Sequence, residues 1–509
     1  MTVARGSRGR AAQSPTGDGL AAALTRLAAG RASRPVTGLV AASVAVGPFD
    51  AVALYAAAVE TGMEASLWLR PNEGFALVGI GRAWAIEPTG PARLPEADAA
   101  WRRLVENSAV AGETGVRGLG PVLIGGLGFS GRVPRADDIW APFGAASLVV
   151  PSLVALSTGG GNWLTGSVAA DGGVDAEAGG VDAEAGGLDA EAGGLDAEAG
   201  GLERTWAQLS RRAGDLARAD GGAPSAVPGA HLRIEQEWPT SDHWRHLVGR
   251  MAGAVGRGRI DKVVLARRVD LSSSVELDIG GALRRLSASA PESAVFAFRR
   301  GSRTFLGATP ERLVRTEGRD YRTAAIAGSI RRGADPAEDA GLRAELLASE
   351  KEREEHAVVV RTIRRQLAPI SERIDVAGEP GVLVLRHVQH LVTTIEGTLK
   401  GDDGLLSLAD RLHPTPAVGG EPRELALAMI DEHEGFDRGW YAGPVGWLSA
   451  GGDSELMVAL RCGMVEGTRA SLFAGCGIVA DSDPDREWEE SRIKMRAVAA
   501  ALGRPGDEP

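Results

Sequence analysis

Lys262 lies in the segment DKVVLARRVDL (261–271), whose alternating pattern predicts a β-strand. In a strand, Lys262 shares one face with Val264 and Ala266. A lysine ammonium that loses solvent beside apolar residues has a lowered pKa and can serve as a general base. The alternative is an edge-strand lysine whose ammonium reaches solvent along its aliphatic stem.

Glu311 ends the segment SRTFLGATPE (302–311), which predicts a strand that runs into a glycine-containing turn. A carboxyl group at the end of a strand is well placed to act as a general acid. The alternative is a glutamate that is simply solvated. This segment alone does not decide between the two.

Two predicted helices each carry a pair of glutamates three residues apart, a spacing that puts both members on one helix face. The first helix spans 348–367, and the second spans 483–502 with Asp483 as N-cap and Pro484 at its first position. Lys494 lies one turn beyond the second pair. The pairs are Glu352 with Glu355 and Glu487 with Glu490.

Carboxylate pairs of this kind suit Mg²⁺, which takes one or two protein carboxylates and fills its other positions with water and ligand oxygens. Two helices that each offer an acidic pair could build such a site together. The alternative is a pair of solvated acidic faces.

A predicted hairpin, 457–465 with 470–479, contains groups that could hold an anion. Arg461 interrupts an apolar run, and a buried guanidinium is costly unless it finds a negative partner. Gly475 and Gly477 in the second strand would let a ligand approach the backbone closely.

The segment AIAGSIRRG (325–333) offers a second candidate anion site. The backbone N–H groups of Gly328 and Ser329 could bind a carboxylate as an anion nest. A purely structural turn is the competing interpretation.

The overall composition indicates a globular protein whose net charge does not attract anionic partners. The chain has 509 residues, is 44% hydrophobic and 24% charged, and has a formal net charge of −11. We therefore expect neither nucleic acid nor a membrane as partner.

The two cysteines, Cys462 and Cys476, lie in predicted strands, and we expect both to be buried, reduced thiols. With neither a signal-peptide segment nor an apolar run long enough to span a membrane, a cytoplasmic protein is expected.

The chain divides into one large folded region and low-complexity segments. Residues 1–34, rich in Gly, Ala, Ser and Arg, predict a disordered tail, and 503–509 a short second tail. Between 36 and 163, short apolar runs alternate with Gly and Pro turns and predict strands of a large sheet. A Gly-Gly-Val/Leu-Asp-Ala-Glu-Ala unit repeats through 171–201 and predicts a flexible acidic loop inserted in the domain 35–502.

An ordered set of motifs spans 257–502 and resembles the chorismate-utilising enzyme family. The motifs are KVVLARR, FLGATPERL, AGSIRRG, LLASEKEREEH, LHPTPAVGG, GWYAGPVGW, ALRCGMVEG, LFAGCGIV and EWEESRIK. So many motifs in this order are specific to that family, whereas the first 250 residues match it only loosely. The fold that the resemblance implies is α+β, a single large domain in which two antiparallel sheets stack and helices lie outside.

The resemblance also implies roles for particular positions. Lys262 falls on a general base that activates water, and Glu311 on the general acid that protonates the departing ring hydroxyl. Glu355 and Glu490 fall on the Mg²⁺ ligands, with Glu352 and Glu487 in the water-mediated shell. Positions that the resemblance places at the substrate are Gly328, Ser329, His413, Ala417, Arg461, Gly475 and Lys494.

Within the family, the pattern is most similar to the isochorismate-forming branch. The implied reaction adds water at C2 of chorismate while the C4 hydroxyl leaves, with Mg²⁺ as cofactor and a monomer as the assembly. Lys262 distinguishes the chain from anthranilate synthases, and Ala417 stands where salicylate synthases usually carry Thr. Salicylate synthase and aminodeoxychorismate synthase are the alternatives, and a non-catalytic binding protein on the same scaffold is the rival from another class. Glu421 departs from the apolar residue of many relatives and leaves that loop's details open.

Overall fold

The computed structural model describes residues 19–29, 37–113, 115–170, 194–219, 230–384, 388–401 and 403–505. The helices are α1 Leu20–Ala29, α2 Ala51–Glu60, α3 Arg93–Glu106, α4 Gly194–Ala219, α5 Ser241–Gly256, α6 Ile279–Ser289, α7 Pro336–Ala348, α8 Glu350–Leu367, α9 Leu405–Leu412, α10 Arg423–His433 and α11 Pro484–Leu502.

The strands of the first half are β1 Leu39–Ala45, β2 Ala65–Arg70, β3 Phe75–Ile80, β4 Trp84–Ile86, β5 Ala109–Ala111, β6 Val122–Leu127, β7 Ala146–Val150, β8 Leu153–Thr158, β9 Gly161–Ala169 and β10 His231–Trp238. Those of the second half are β11 Lys262–Ser273, β12 Ala294–Arg300, β13 Arg303–Thr309, β14 Arg312–Glu317, β15 Asp320–Arg331, β16 Ser371–Val376, β17 Gly381–Val384, β18 Val388–Leu399, β19 Gly420–Glu421, β20 Pro444–Ser449, β21 Ser454–Val458, β22 Cys462–Glu466, β23 Arg469–Ile478 and β24 Arg504–Pro505.

The strands form two sheets, and each sheet draws strands from both halves of the chain. The first sheet has 14 strands in the order β24-β10-β11-β23-β22-β13-β12-β2-β3-β8-β9-β1-β5, with β19 paired to β11. The second has ten, in the order β16-β18-β15-β14-β21-β20-β6-β7-β4, with β17 paired to β18. Apart from the parallel pairs β1–β5 and β10–β24, the strand pairings given are antiparallel. The α+β prediction with two antiparallel sheets is therefore confirmed.

Two hydrophobic layers hold this architecture together. One contains side chains of both sheets, such as Phe75 of β3 and Trp447 of β20, whose rings stack 5.4 Å apart. The other packs the first sheet against α1, α2, α4, α6 and α11. Burial of large aromatic and aliphatic side chains on both faces of the first sheet is the main stabilising term of the fold. In the described part of the chain, no helix has both the length and the apolarity that a membrane crossing requires.

Two segments predicted to be unstructured are helical where the structure describes them. Within the expected tail 1–34, α1 buries Leu20 and Leu24 in the helix-covered layer. Within the expected loop 171–201, α4 begins at Gly194 and buries Ala199 completely. Packing against the first sheet and α2 outweighs the helix-weakening glycines, which local propensity alone could not show. Residues 1–18, 30–36 and 171–193 lie outside the described part, so those portions of both predictions stay untested.

Three local predictions need correction. The run 457–465 is not one strand, because β21 ends at Val458 in the second sheet and β22 begins at Cys462 in the first. Arg461 lies in the connection with φ 49°, a left-handed conformation that ends regular pairing. The segment 325–333 is not a turn: it continues β15 as far as Arg331, with a bulge at Gly328 (φ 74°), and the anion-binding role of Gly328 and Ser329 stays a prediction. Finally, the expected tail 503–509 begins with β24, which pairs with β10.

Candidate active site

Lys262 is the first residue of β11, between β23 on one side and β19 on the other. Its side chain lies across Gly477 of β23, where an added methyl group would approach Lys262 Cε to 2.5 Å and Nζ to 3.1 Å. Desolvation lowers the pKa of Lys262, and the charge of Lys494 lowers it further. Three carboxylates oppose this shift, those of Glu311, Glu355 and Glu490.

Glu311 lies between β13 and β14, so both sheets hold it. Its backbone N–H donates to Thr309 Oγ1 at 3.3 Å, and its carbonyl accepts from the Val458 N–H at 2.9 Å. Burial raises the pKa of Glu311 to about 7, although the positive charges of Lys262 and Lys494 lower it. A carboxyl group with this pKa is protonated for much of the time near neutral pH and can donate a proton.

Helix α11 brings three of the predicted site residues together. The ammonium of Lys494 lies 2.5 Å from Glu490 Oε1 and donates to the Gly475 carbonyl at 2.7 Å. Burial raises the pKa of Glu487, and the charge of Glu490 adds to that rise. Asp483 caps the helix as predicted, accepting from two backbone N–H groups of its first turn. The acidic pair Glu487 and Glu490 of the metal prediction thus faces the strand that carries Gly475.

Glu487 and Glu490 form one close group with Cys476, and their ligand atoms all lie within 4.8 Å of one another. Two partly exposed carboxylates at this distance fit a hard divalent cation such as Mg²⁺, which favours oxygen ligands. Cys476 was not expected in this group, since its thiol was predicted only to be buried in a strand. Burial raises the pKa of this thiol, so the neutral form prevails and adds no charge to the site.

Helix α8 carries the other acidic pair, Glu352 and Glu355, whose contacts are different. Glu352 accepts from the Ser329 N–H at 2.9 Å, so its carboxylate occupies the backbone donor that was predicted for a substrate. Glu355 is 56% exposed, lies 4.0 Å from Lys351, and still acts on the pKa of Lys262. Neither residue belongs to the close group on α11 as the structure stands, and their roles as metal ligands stay predictions.

His390 of β18 is a site residue that the motifs did not single out. Its Nδ1 lies 2.7 Å from Ser329 Oγ, and burial together with the charges of Lys262 and Lys494 lowers its pKa. Its neighbour Gly328 sits in the bulge of β15, where a methyl group would come within 3.0 Å of the Glu352 carbonyl. A neutral imidazole next to a serine hydroxyl offers a ligand both hydrogen-bond donors and acceptors. In the sequence, His390 is marked only by a second histidine three residues earlier in HVQHL, and this spacing does not by itself indicate a functional site.

Arg461 presents a guanidinium without a carboxylate partner in the part of the chain that the structure describes. Burial lowers its pKa, and the negative charge of Glu490 opposes that effect. A desolvated arginine of this kind suits an anionic ligand. Tyr441, also missed from the sequence, borders the same space, because a methyl group at Gly475 would lie 2.9 Å from its hydroxyl. Its ring stacks on Phe473 at 5.4 Å.

His413 and Ala417 are the predicted substrate residues that the structure links least to this group. His413 is buried against Phe129, with Nε2 3.1 Å from the Phe129 carbonyl. Burial lowers its pKa to about 3, so the ring is neutral. Ala417 is exposed in the turn that Thr415 and Gly419 close. Their contacts with a substrate stay predictions.

This arrangement defines a member of the chorismate-binding enzymes. The family profile described as "Chorismate binding enzyme" matches residues 23–183 and 197–503, and the chain belongs to that family. The chain is 36% identical over 473 residues to "Salicylate biosynthesis isochorismate synthase" of Pseudomonas aeruginosa, covering 93% of this chain and 91% of that protein. It is 33% identical over 441 residues to "Isochorismate synthase MenF" of Bacillus subtilis, covering 86% and 87%. The solved menaquinone-specific isochorismate synthase MenF of Escherichia coli superposes with a TM-score of 0.71 at 27% identity, covering 94% of this chain and 99% of that one.

Proposed function

We propose that this chain is an isochorismate synthase, an isomerase that converts chorismate to isochorismate. The observation that carries the proposal is a lysine of lowered pKa and a glutamate whose pKa is raised to about 7, each within the other's electrostatic reach. Such a pair, with pKa values moved toward each other, supplies a base and an acid at the same pH. The similarity to isochorismate synthases over most of the chain supports the same reading.

In the proposed reaction, the neutral Lys262 amine takes a proton from a water that adds at C2. Glu311, in its protonated form, gives its proton to the C4 hydroxyl as that group leaves. The two residues exchange roles in the reverse reaction. Arg461 and nearby backbone N–H groups would hold one carboxylate of the substrate.

Mg²⁺ would be held by Glu355 and Glu490, with Glu352 and Glu487 around it, and would neutralise the ring carboxylate. The carboxylates on α11 fit this ion, as described above. We further propose that the enzyme works in the cytoplasm as a monomer, without a nucleic-acid or membrane partner. Its product would enter menaquinone or salicylate biosynthesis, the routes that the relatives' names state.

The direct test is incubation of the purified protein with chorismate and Mg²⁺, with products separated by chromatography. Isochorismate as the only product is the expected result. Salicylate with pyruvate would replace the proposal by a salicylate synthase, and product that appears only when ammonia or glutamine is added would indicate the amino-transferring relatives. No turnover at all would favour a non-catalytic protein on the same scaffold.

Glu490→Gln should raise the Mg²⁺ concentration needed for half-maximal activity by at least about tenfold, because an amide is a weaker ligand for a hard cation. Direct calorimetric titration with Mg²⁺ should show the same loss of affinity without substrate. Glu489→Gln is the matched control, since Glu489 lies on the same helix but pairs with Arg492 and Arg496. Equal Mg²⁺ affinities in Glu490→Gln and wild type would remove Glu490 from the ligand set.

Gly477→Ala should lower kcat by about 10²-fold while the protein stays folded. The new methyl group would collide with the flexible end of Lys262, which can move away, so the amine is displaced by an ångström or more. Gly249→Ala in α5 is the control, because its methyl group would meet nothing within 4 Å. Both variants would be compared by steady-state kinetics and thermal unfolding. A Gly477→Ala enzyme with normal kcat would show that the position of the Lys262 amine is not critical.

A further inference from the structure

Strand β11, which carries Lys262, has a gap along one edge. Strand β19 pairs with its first two residues, and the Val264 N–H still donates to the Gly419 carbonyl at 2.9 Å. Strand β10 takes over only at Arg268. Between them, the Val264 carbonyl and the Ala266 N–H point to the open edge without a strand partner, whereas the opposite edge pairs with β23 without interruption. Unpaired backbone groups in a buried position are costly.

Glu434 and Arg438, which follow α10, fill this gap with their side chains. Glu434 Oε1 accepts from the Ala266 N–H at 2.8 Å, and Arg438 Nη2 donates to the Val264 carbonyl at 2.7 Å. The two side chains are 2% and 3% exposed and bind each other, with Arg438 Nε donating to Glu434 Oε2 at 2.8 Å and Nη2 to Oε1. The ion pair therefore replaces one donor and one acceptor of a missing strand.

The same guanidinium reaches a second segment of the site. Arg438 Nη1 donates to the Val418 carbonyl at 2.8 Å, in the turn that presents Ala417. The guanidinium also lies over the ring of Phe129, 4.2 Å from its centroid. One side chain thus connects β11, the turn 415–419 and Phe129, which follows β6.

Stability alone does not explain a buried ion pair here, because apolar side chains of similar volume are often as stabilising. Apolar side chains, however, could not accept from Ala266 and donate to both Val264 and Val418. We propose that Glu434 and Arg438 are positioning residues, which hold the start of β11 and the turn 415–419 in register so that the Lys262 amine faces the substrate. This inference rests on the proposed function of Lys262.

The test compares Glu434→Gln and Arg438→Lys with wild type. Glu434→Gln keeps an acceptor for the Ala266 N–H but removes the negative charge that faces Arg438. Arg438→Lys keeps the positive charge but loses the planar guanidinium that donates to the Val264 and Val418 carbonyls at once. We expect kcat to fall by about 10- to 100-fold in both while KM for chorismate changes by less than about threefold. Asp431→Asn, at an exposed acid on α10 just before the pair, is the control and should leave both constants unchanged.

Hydrogen–deuterium exchange gives a readout that needs no turnover. We expect faster exchange confined to peptides covering 262–268 and 415–419, with β15 and β18 of the second sheet unchanged. A kcat within about twofold of wild type in both folded variants would overturn the positioning role, as would faster exchange throughout the protein. If Glu434→Gln does not fold, the kcat and the exchange pattern of the milder variant Arg438→Lys test the positioning role. If wild type does not isomerise chorismate, the proposed function fails, and the local exchange pattern still reports whether the pair orders these two segments.

Discussion

Replacing Lys262 by methionine is expected to lower kcat for isochorismate formation by a factor of about 10² to 10⁴, the range typical of losing a general base. Methionine keeps the length and apolar character of the lysine stem, and it removes only the amine. Because the amine sits in a desolvated position, its loss should not destabilise the fold, and thermal unfolding should occur at or above the wild-type temperature.

Lys400→Met is the matched control for this substitution, since Lys400 is exposed at the end of β18. It should leave kcat, KM and the unfolding temperature unchanged. If Lys262→Met retained more than about one tenth of the wild-type kcat, the proton would have to be taken by another group, and the central role of Lys262 would be lost.

Glu311→Gln is expected to cost a similar factor of about 10² to 10⁴ in kcat and also to change how the rate depends on pH. The general acid works only when protonated, and the pKa of Glu311 is raised to about 7. The wild-type rate should therefore fall as pH rises through about 7. Toward acid pH it should fall for the opposite reason, because Lys262 then takes up a proton and no longer acts as a base.

In Glu311→Gln, the residual rate should lack the decline on the alkaline side, because glutamine has no proton to lose in this range. Rate–pH profiles for the two enzymes make the comparison, and Glu317→Gln at the exposed end of β14 serves as control. An alkaline decline that persists unchanged in Glu311→Gln would assign that titration to a different group.

The features that could be predicted from the sequence are those whose causes are local. Helix α11 is the clearest case, because Asp483, Pro484 and the spacing of Glu487 and Glu490 are all set within one or two turns. Helix α8, Glu350–Leu367, also lies within the predicted span 348–367. The motifs added the family and the two-sheet fold, which single residues left undecided. They are also the source of the roles proposed for Lys262 and Glu311, and those roles stay predictions.

The features that could not be predicted depend on pairing across long stretches of chain. Lys262 on β11 and Glu311 after β13 affect each other's pKa across a sheet in which β23 and β22 lie between their strands, an order that no local pattern encodes. Arg461 looked like a strand residue because its neighbours are apolar, whereas the chain changes sheets there. His390 and Tyr441 gave no periodic signal, and Glu352 reached the Ser329 N–H only because α8 packs on β15.

The interleaved order of the first sheet has a consequence for how the protein is made. The ribosome delivers β11 and β13 early, but the hairpin Cys462–Ile478 that joins them in the sheet is synthesised much later. Until that hairpin emerges, each of these two strands has an open edge that can pair with another nascent chain. The yield of native enzyme in a cell should therefore depend on chaperones that shield these edges and on how quickly translation passes the final hairpin.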